Sequence, residues 1–189
     1  MPVASDHHWT VDDVWALPGD PSHRYEAVDG VLLVTPTPSR LHQRAVRSLL
    51  ISLHGFATRL GVGEVLPAPF DVVMAEDTVV QPDLLVLPPV PGAQHDAGPR
   101  ERPLPLLAVE ILSPSTARHD RLVKRPRFQR AGVECWIVDL ESRLVERWLP
   151  GVDHPEICAT SLGWQPPGAS AVAVVDLDAF FADVLGDAL

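Results

Sequence analysis

Lysine is almost missing from this chain. Of its 15 basic side chains only Lys124 is a lysine, and every other one is an arginine. Arginine stays protonated and presents a planar fork, whereas lysine is a compact charge whose pKa follows its surroundings. A lone lysine among arginines is either a surface residue left by an arginine-rich composition, the reading the lysine alone favours, or a position where an ammonium group suits some chemistry. Cysteine is scarce as well: Cys135 and Cys158 cannot build a disulfide framework, and both are expected to be reduced. Cys135 lies inside the apolar run Cys135-Trp136-Ile137-Val138, so it is expected to be buried. No apolar stretch approaches the ~20 residues of a membrane span. The first residues lack the basic and apolar parts of a secretory signal. The expectation is a soluble protein with no membrane partner and a cytoplasmic location.

Positive charge is also in short supply overall. A formal net charge of -10 disfavours binding a polyanion with the whole surface, since neutralising phosphates requires Lys or Arg. Any contact with DNA must be local. The segment holding Arg118, Arg121, Lys124, Arg125, Arg127 and Arg130, opposed only by Asp120, is the candidate for it. A solvated helix face would carry the same charges. Other signatures are absent. Gly61-Val62-Gly63 lacks the third glycine of a dinucleotide fingerprint, and there is no P-loop. The histidines show no zinc-ligand spacing with either cysteine, and Ser113 and Ser115 have no glycine-flanked elbow.

What remains is a chain of 189 residues, 46% hydrophobic and 21% charged, which suits one domain with a substantial core. Thr10 caps a short helix over about 10–17, which Pro18 and Gly19 stop. Residues 24–28 and 31–34 flank Asp29-Gly30 and read as a hairpin with a two-residue turn. Ser39 can cap a long helix to about Arg59, with Leu41, Ala45, Leu49, Leu53 and Phe56 as its buried stripe. Arg40, Arg44 and Arg47 would mark its exposed side. Extended runs follow near 62–66 and 70–74, then the run Val79 to Leu87 through Asp83, then a Pro- and Gly-rich surface loop from Pro88 to Pro105. A strand carries Glu110, and a helix from about Asp120 ends at Gly132, with Pro126 forcing a late start or a kink. Residues 135–139 and 143–148 read as strands joined by a turn, and 176–185 as a closing helix. The core spans about 22–150 and an extension about 151–189.

Two carboxylates interrupt apolar runs. Alternation along Val109-Glu110-Ile111-Leu112 puts Glu110 on the same sheet face as Leu112, and Asp83 follows Pro82 in a similar apolar setting. Burying a carboxylate is costly unless it faces a cleft, pairs, or binds a cation. Two of them brought together at strand ends would raise each other's pKa, and a hard divalent ion relieves that repulsion. A nearby lysine would stabilise developing negative charge or orient water. The other readings of such carboxylates are a helix cap or an arginine salt bridge. A glycosidase could use the pair but has no need of Lys124.

Pro82-Asp83, then Glu110, then Lys124 resembles the PD-(D/E)xK nuclease superfamily. Within it, five segments resemble the Uma-type endonucleases: Tyr25-Glu26 with Asp29-Gly30; His42; Gln81-Pro82-Asp83; Val109 to Thr116 with Asp120 and Lys124; and Gly132 to Asp139. The resemblance covers about 10–150. It implies an α/β fold with a restriction-endonuclease-like core, a mixed β-sheet flanked by helices, and Mg2+-dependent hydrolysis of DNA, with Mn2+ as a substitute. It further implies that Asp83 and Glu110 hold the metal and Lys124 positions or activates water, with Glu26 a third acidic member and His42 and Asp120 secondary candidates. Leu112 stands where the wider superfamily has its lysine; Lys124, on the following helix, fits the Uma-type position. Phe128 stands where a tyrosine is common. The rival expectation is a noncatalytic module of the same fold that binds nucleic acid or a protein partner. An exposed apolar edge on the hairpin 135–148 would favour a partner or a homodimer.

Overall fold

A computed structural model describes residues 7–90 and 98–186. Helix α1 (Val11–Trp15) begins under a capping box: the Thr10 hydroxyl accepts from the Asp13 amide, and the Asp13 carboxylate accepts from the Thr10 N–H. Strands β1 (His23–Val28) and β2 (Val31–Pro36) form the expected hairpin. Asp29 and Gly30 close it at φ 54° and 76°, the pair of positive angles a type I′ turn needs. Helix α2 (Arg40–Leu60) is capped by Ser39 and ends at Gly61 in the left-handed conformation. Ala45, Leu49, Leu53 and Phe56 are its buried stripe, but Leu41 is 39% exposed. At 3.6 residues per turn the row 41, 45, 49, 53 drifts around the helix and leaves its first member on the rim. His42 is the buried residue of that first turn.

The run Val79 to Leu87 divides at Pro82 between two sheets. Strands β4 (Val72–Ala75) and β5 (Thr78–Val80) join the hairpin in an antiparallel sheet of order β2-β1-β5-β4. Strand β6 (Leu84–Leu87) belongs to a six-stranded sheet with β3 (Glu64–Pro67), β7 (Leu107–Ile111), β8 (Glu134–Asp139), β9 (Leu144–Trp148) and β10 (Glu156–Cys158). Pro82 cannot donate to a ladder, so the chain crosses between the sheets there, and Asp83 lies in the crossing rather than within a strand. The order is β10-β9-β8-β7-β6-β3, with β7 and β8 parallel and the remaining pairs antiparallel. The Pro- and Gly-rich stretch after β6 connects two neighbours; its residues 91–97 lie outside the described ones.

Between β7 and β8 the chain runs through α3 (Ala117–His119), a π-helical turn (Asp120–Lys124) and α4 (Arg125–Arg130). The helical segment therefore starts earlier than its sequence suggests and accommodates Pro126 by widening. In the wider register the Arg125 N–H donates to the Asp120 carbonyl, and Pro126 falls in the first turn of α4, where its missing N–H costs least. The Arg121 carbonyl, which an amide at position 126 would have served, accepts from Arg125 Nε at 3.2 Å.

The large sheet is buried on both faces, which accounts for its apolar runs. Leu84, Val86, Leu107, Val109, Ile111, Trp136 and Val138 pack towards α2 and a closing helix, α5 (Leu177–Leu185). Leu85, Ala108, Cys135 and Ile137 pack on the other side against Val28, Leu33 and Val80 of the first sheet and Phe128 of α4. Glu110 alternates with Val109 and so faces this second layer. The region treated from sequence as an extension is integral. Strands β11 (Ser161–Trp164) and β12 (Ala173–Asp176) form a hairpin whose Leu162, Trp164 and Val175 join the α2 side of the core. Strand β10 covers β9, so the β8–β9 hairpin presents no free edge. Among the described residues no helix is long and apolar enough to cross a membrane.

Candidate active site

Alternation along β1 turns Arg24 and Glu26 to the same face, towards the start of β6 and the end of β7. Glu26 Oε1 accepts from the Gln81 amide at 2.7 Å. Two residues later, Asp83 is held on both oxygens. Its Oδ2 accepts from the Ile111 N–H at 2.8 Å and hydrogen-bonds His42 Nε2 at 2.9 Å. Its Oδ1 faces Arg24 Nη1 and Nη2 at 3.2 and 3.3 Å, and the same guanidinium donates to the Gln81 carbonyl at 2.8 Å. One carboxylate thus ties β1, α2 and β7 together. Lys124, at the end of the π-helical turn, brings its Nζ to 2.7 Å from Glu110 Oε1, 2.9 Å from Glu26 Oε1 and 3.9 Å from Asp120 Oδ1. Lys124 and Glu110 are 2% and 1% exposed, yet all of these side chains border a cleft of about 250 Å³ with the hydroxyl-rich turn Ser113 to Thr116 on its rim.

The charges of this cleft do not balance. Glu26, Asp83, Glu110 and Asp120 line it, while Arg24 and Lys124 are its only permanent cations among the described residues. Burial alone would discharge Lys124, but Glu110, Glu26 and Asp120 outweigh it and hold the ammonium protonated far above neutral pH. Glu110 is pushed well above the ordinary carboxylate range by burial and by its acidic neighbours, which Lys124 only partly offsets. Asp120 is pushed up to about 6, by burial first and then by Asp83 and Glu26, against Lys124 and a Thr116 hydrogen bond. Asp83 goes the other way: burial would raise it, but the His42 hydrogen bond and charge, with Arg24 and Lys124, keep it below its usual value.

These directions fix a pH dependence. A carboxyl whose folded pKa is raised costs nothing at pH values below its unfolded pKa. Its cost grows as pH rises from the unfolded value to the folded one, because the unfolded chain releases the proton first. For Asp120, raised from 3.8 to about 6, the cost sets in across that window, with a ceiling of about 3 kcal/mol. Asp120→Asn should therefore gain stability relative to the parent between about pH 4 and pH 7 in chelator-containing buffer, as read by urea unfolding. An unchanged difference at the two pH values would refute this electrostatic account.

The cleft gathers every residue singled out in the sequence: Asp83, Glu110, Lys124, Glu26, His42 and Asp120. Arg24 is the member sequence reading missed. Its signal was its place two residues before Glu26 on one strand face, but nothing local said that the crossing at Asp83 would lie against it. The basic segment differs from expectation. Arg121 pairs with Asp139 and Glu146, Arg125 lies over the Trp148 ring at 3.9 Å, Arg127 pairs with Asp29, and Lys124 is buried. Three of the six cations are ion-paired and a fourth lies on a ring, leaving Arg118 and Arg130 exposed at the two ends, so 118–130 is no continuous cationic face.

Magnesium binds through one or two carboxylates with water and substrate phosphate completing its shell, and needs no all-protein cage. Among the described residues no three His, Cys, Asp or Glu side chains converge as such a cage. The excess of carboxylates over cations, with Glu110 and Asp120 both raised, is nevertheless the donor chemistry that suits a hard divalent ion.

The fold has a solved counterpart. A protein described as "a putative nuclease belonging to DUF820", from Anabaena variabilis ATCC 29413, superposes with a TM-score of 0.72 at 16% identity, covering 93% of this chain and 99% of its own. No curated protein matches the sequence. The sequence profile of the Uma2 family, described as "Putative restriction endonuclease", matches residues 11–178, a span that takes in every side chain of the cleft. The chain belongs to the Uma2 family.

Proposed function

We propose that this protein is a metal-dependent endonuclease that hydrolyses phosphodiester bonds of DNA, with Asp83 and Glu110 holding Mg2+ or Mn2+ and Lys124 positioning the attacking water. The observation that carries the proposal is the approach of Lys124 Nζ to 2.7 Å from Glu110, although the two arise from a π-helical turn and a strand end. The family description and the like-folded nuclease support the same reaction class.

Lys124 is held protonated, so it acts as a donor and a charge rather than as a base. Its ammonium can hydrogen-bond the water and stabilise the negative charge that builds on the phosphate as the nucleophile approaches. Glu26, fixed by the Gln81 amide, holds that ammonium together with Glu110. Asp83 is held in place by donors from three elements, so its position is set in advance, and the Arg24 guanidinium at 3.2 and 3.3 Å from Oδ1 would yield that oxygen to an ion. A divalent cation, when bound, would supply Lewis-acid polarisation of the phosphodiester and a lowered pKa for the attacking water.

The test is cleavage of supercoiled plasmid by the purified protein with Mg2+ or Mn2+. Nicking that stops with chelator and returns on adding the ion is the expected result. Cutting indifferent to chelation would refute the metal-dependent reading, and no cutting with either ion would favour the noncatalytic binding module.

A further inference from the structure

The cleft has an annex. A second cavity of about 440 Å³ shares Arg24, Pro36, Thr37 and Pro38 with the cleft wall and reaches from there to Trp15 and Tyr25. Its far end is built for a flat, uncharged group. The Trp15 indole Nε1 donates to Asp71 Oδ2 at 2.9 Å, and Gln81 Nε2 donates to the other oxygen of the same carboxylate at 2.7 Å, so the ring is locked in orientation. Arg100, outside the cavity wall and paired with Asp12, lies over that ring at 5.0 Å and covers one of its faces. Asp20, the other acidic wall residue, is occupied by Ser22 and His23. Aromatic and proline surface beside carboxylates already engaged in hydrogen bonds suits a planar ring better than a phosphate. The near end is cationic: the Arg24 side chain is 19% exposed, against 3% for Lys124, so it is the cation of the cleft that still reaches solvent.

We propose that this annex is a subsite for the base of the nucleotide adjoining the scissile phosphate, with Arg24 contacting the phosphodiester between base and cut. This rests on the nuclease reading of the cleft. A base in such a pocket has left the stack, and a free edge is least costly when the nucleotide is unpaired. The substrate class that fits is therefore single-stranded nucleic acid, or a duplex with an unpaired nucleotide at the cut. The molecule's charge agrees with this: the net charge is -10, and three of the six cations of 118–130, Arg121, Lys124 and Arg127, are already ion-paired, which weakens the grip on a long stretch of duplex phosphates.

The experiment measures binding by fluorescence anisotropy, using Glu110→Gln as a noncleaving background with Mg2+, on a labelled single-stranded DNA oligonucleotide, its RNA equivalent and its duplex. Each is tested with and without Trp15→Ala, and with Trp15→Phe, which keeps a stacking ring. The expected result is tighter binding of a single strand than of duplex, weakened roughly tenfold by Trp15→Ala and restored by Trp15→Phe. Unfolding curves establish that both variants are folded. Equal affinity in the presence or absence of the indole, or preference for duplex, would overturn the subsite while leaving plasmid cleavage by the parent intact. Failure of every oligonucleotide to bind, together with no metal-dependent plasmid cleavage, would overturn both readings.

Discussion

Lys124→Ala is expected to abolish plasmid cleavage and to destabilise the fold by about 3–5 kcal/mol, the usual cost of stripping one partner from a buried ion pair. Glu26 and Glu110 lie 2.9 and 2.7 Å from the ammonium and are almost wholly buried, with Asp120 at 3.9 Å. Without it, three carboxylates face one another in a desolvated space. Lys124→Arg separates charge from shape. A guanidinium retains the positive charge but cannot occupy the place of a compact ammonium without shifting its neighbours. It should recover part of the stability and little of the activity. Urea unfolding together with plasmid cleavage reads both effects, and a Lys124→Ala protein with parental stability would show that the ammonium does not hold the carboxylates together.

Glu110→Gln should behave differently: cleavage falls to background, while stability stays within ~1 kcal/mol of the parent. Burial and acidic neighbours make the charge on Glu110 costly to keep, and a glutamine of the same shape still offers Lys124 an oxygen. Lys124 keeps Glu26 at 2.9 Å and Asp120 at 3.9 Å. The two substitutions are thus predicted to match in activity and diverge in stability. A Glu110→Gln variant as unstable as Lys124→Ala would mean that Glu110 serves chiefly as the structural partner of the lysine.

Much of this arrangement was legible in the chain because the signals were local. Asp29-Gly30 specifies its turn, Ser39 starts its helix, and the lone lysine stands out against arginine. The residues missed were decided by long-range contact. Arg24 is a site residue only because the crossing at Pro82 folds against β1, which no pattern within either segment states. The division of Val79 to Leu87 between two sheets is invisible to periodicity, since both halves are buried and only the proline marks the break. The short strands β10 to β12 escaped notice because three- or four-residue segments set among Pro and Gly carry too little alternation to register. Pro126 was visible as a conflict but not as its solution, a widened turn before it in which Arg125 Nε meets the Arg121 carbonyl.

The most direct test of the central claim, that the cleft around Lys124 is a metal-dependent nuclease centre, is Mg2+-supported cleavage of supercoiled plasmid by the parent and Glu110→Gln proteins at equal folded concentration. The account predicts nicking by the parent and none by the variant, with matching unfolding curves. Equal cleavage by both folded proteins would contradict it and move the chemistry, if any, to another part of the molecule.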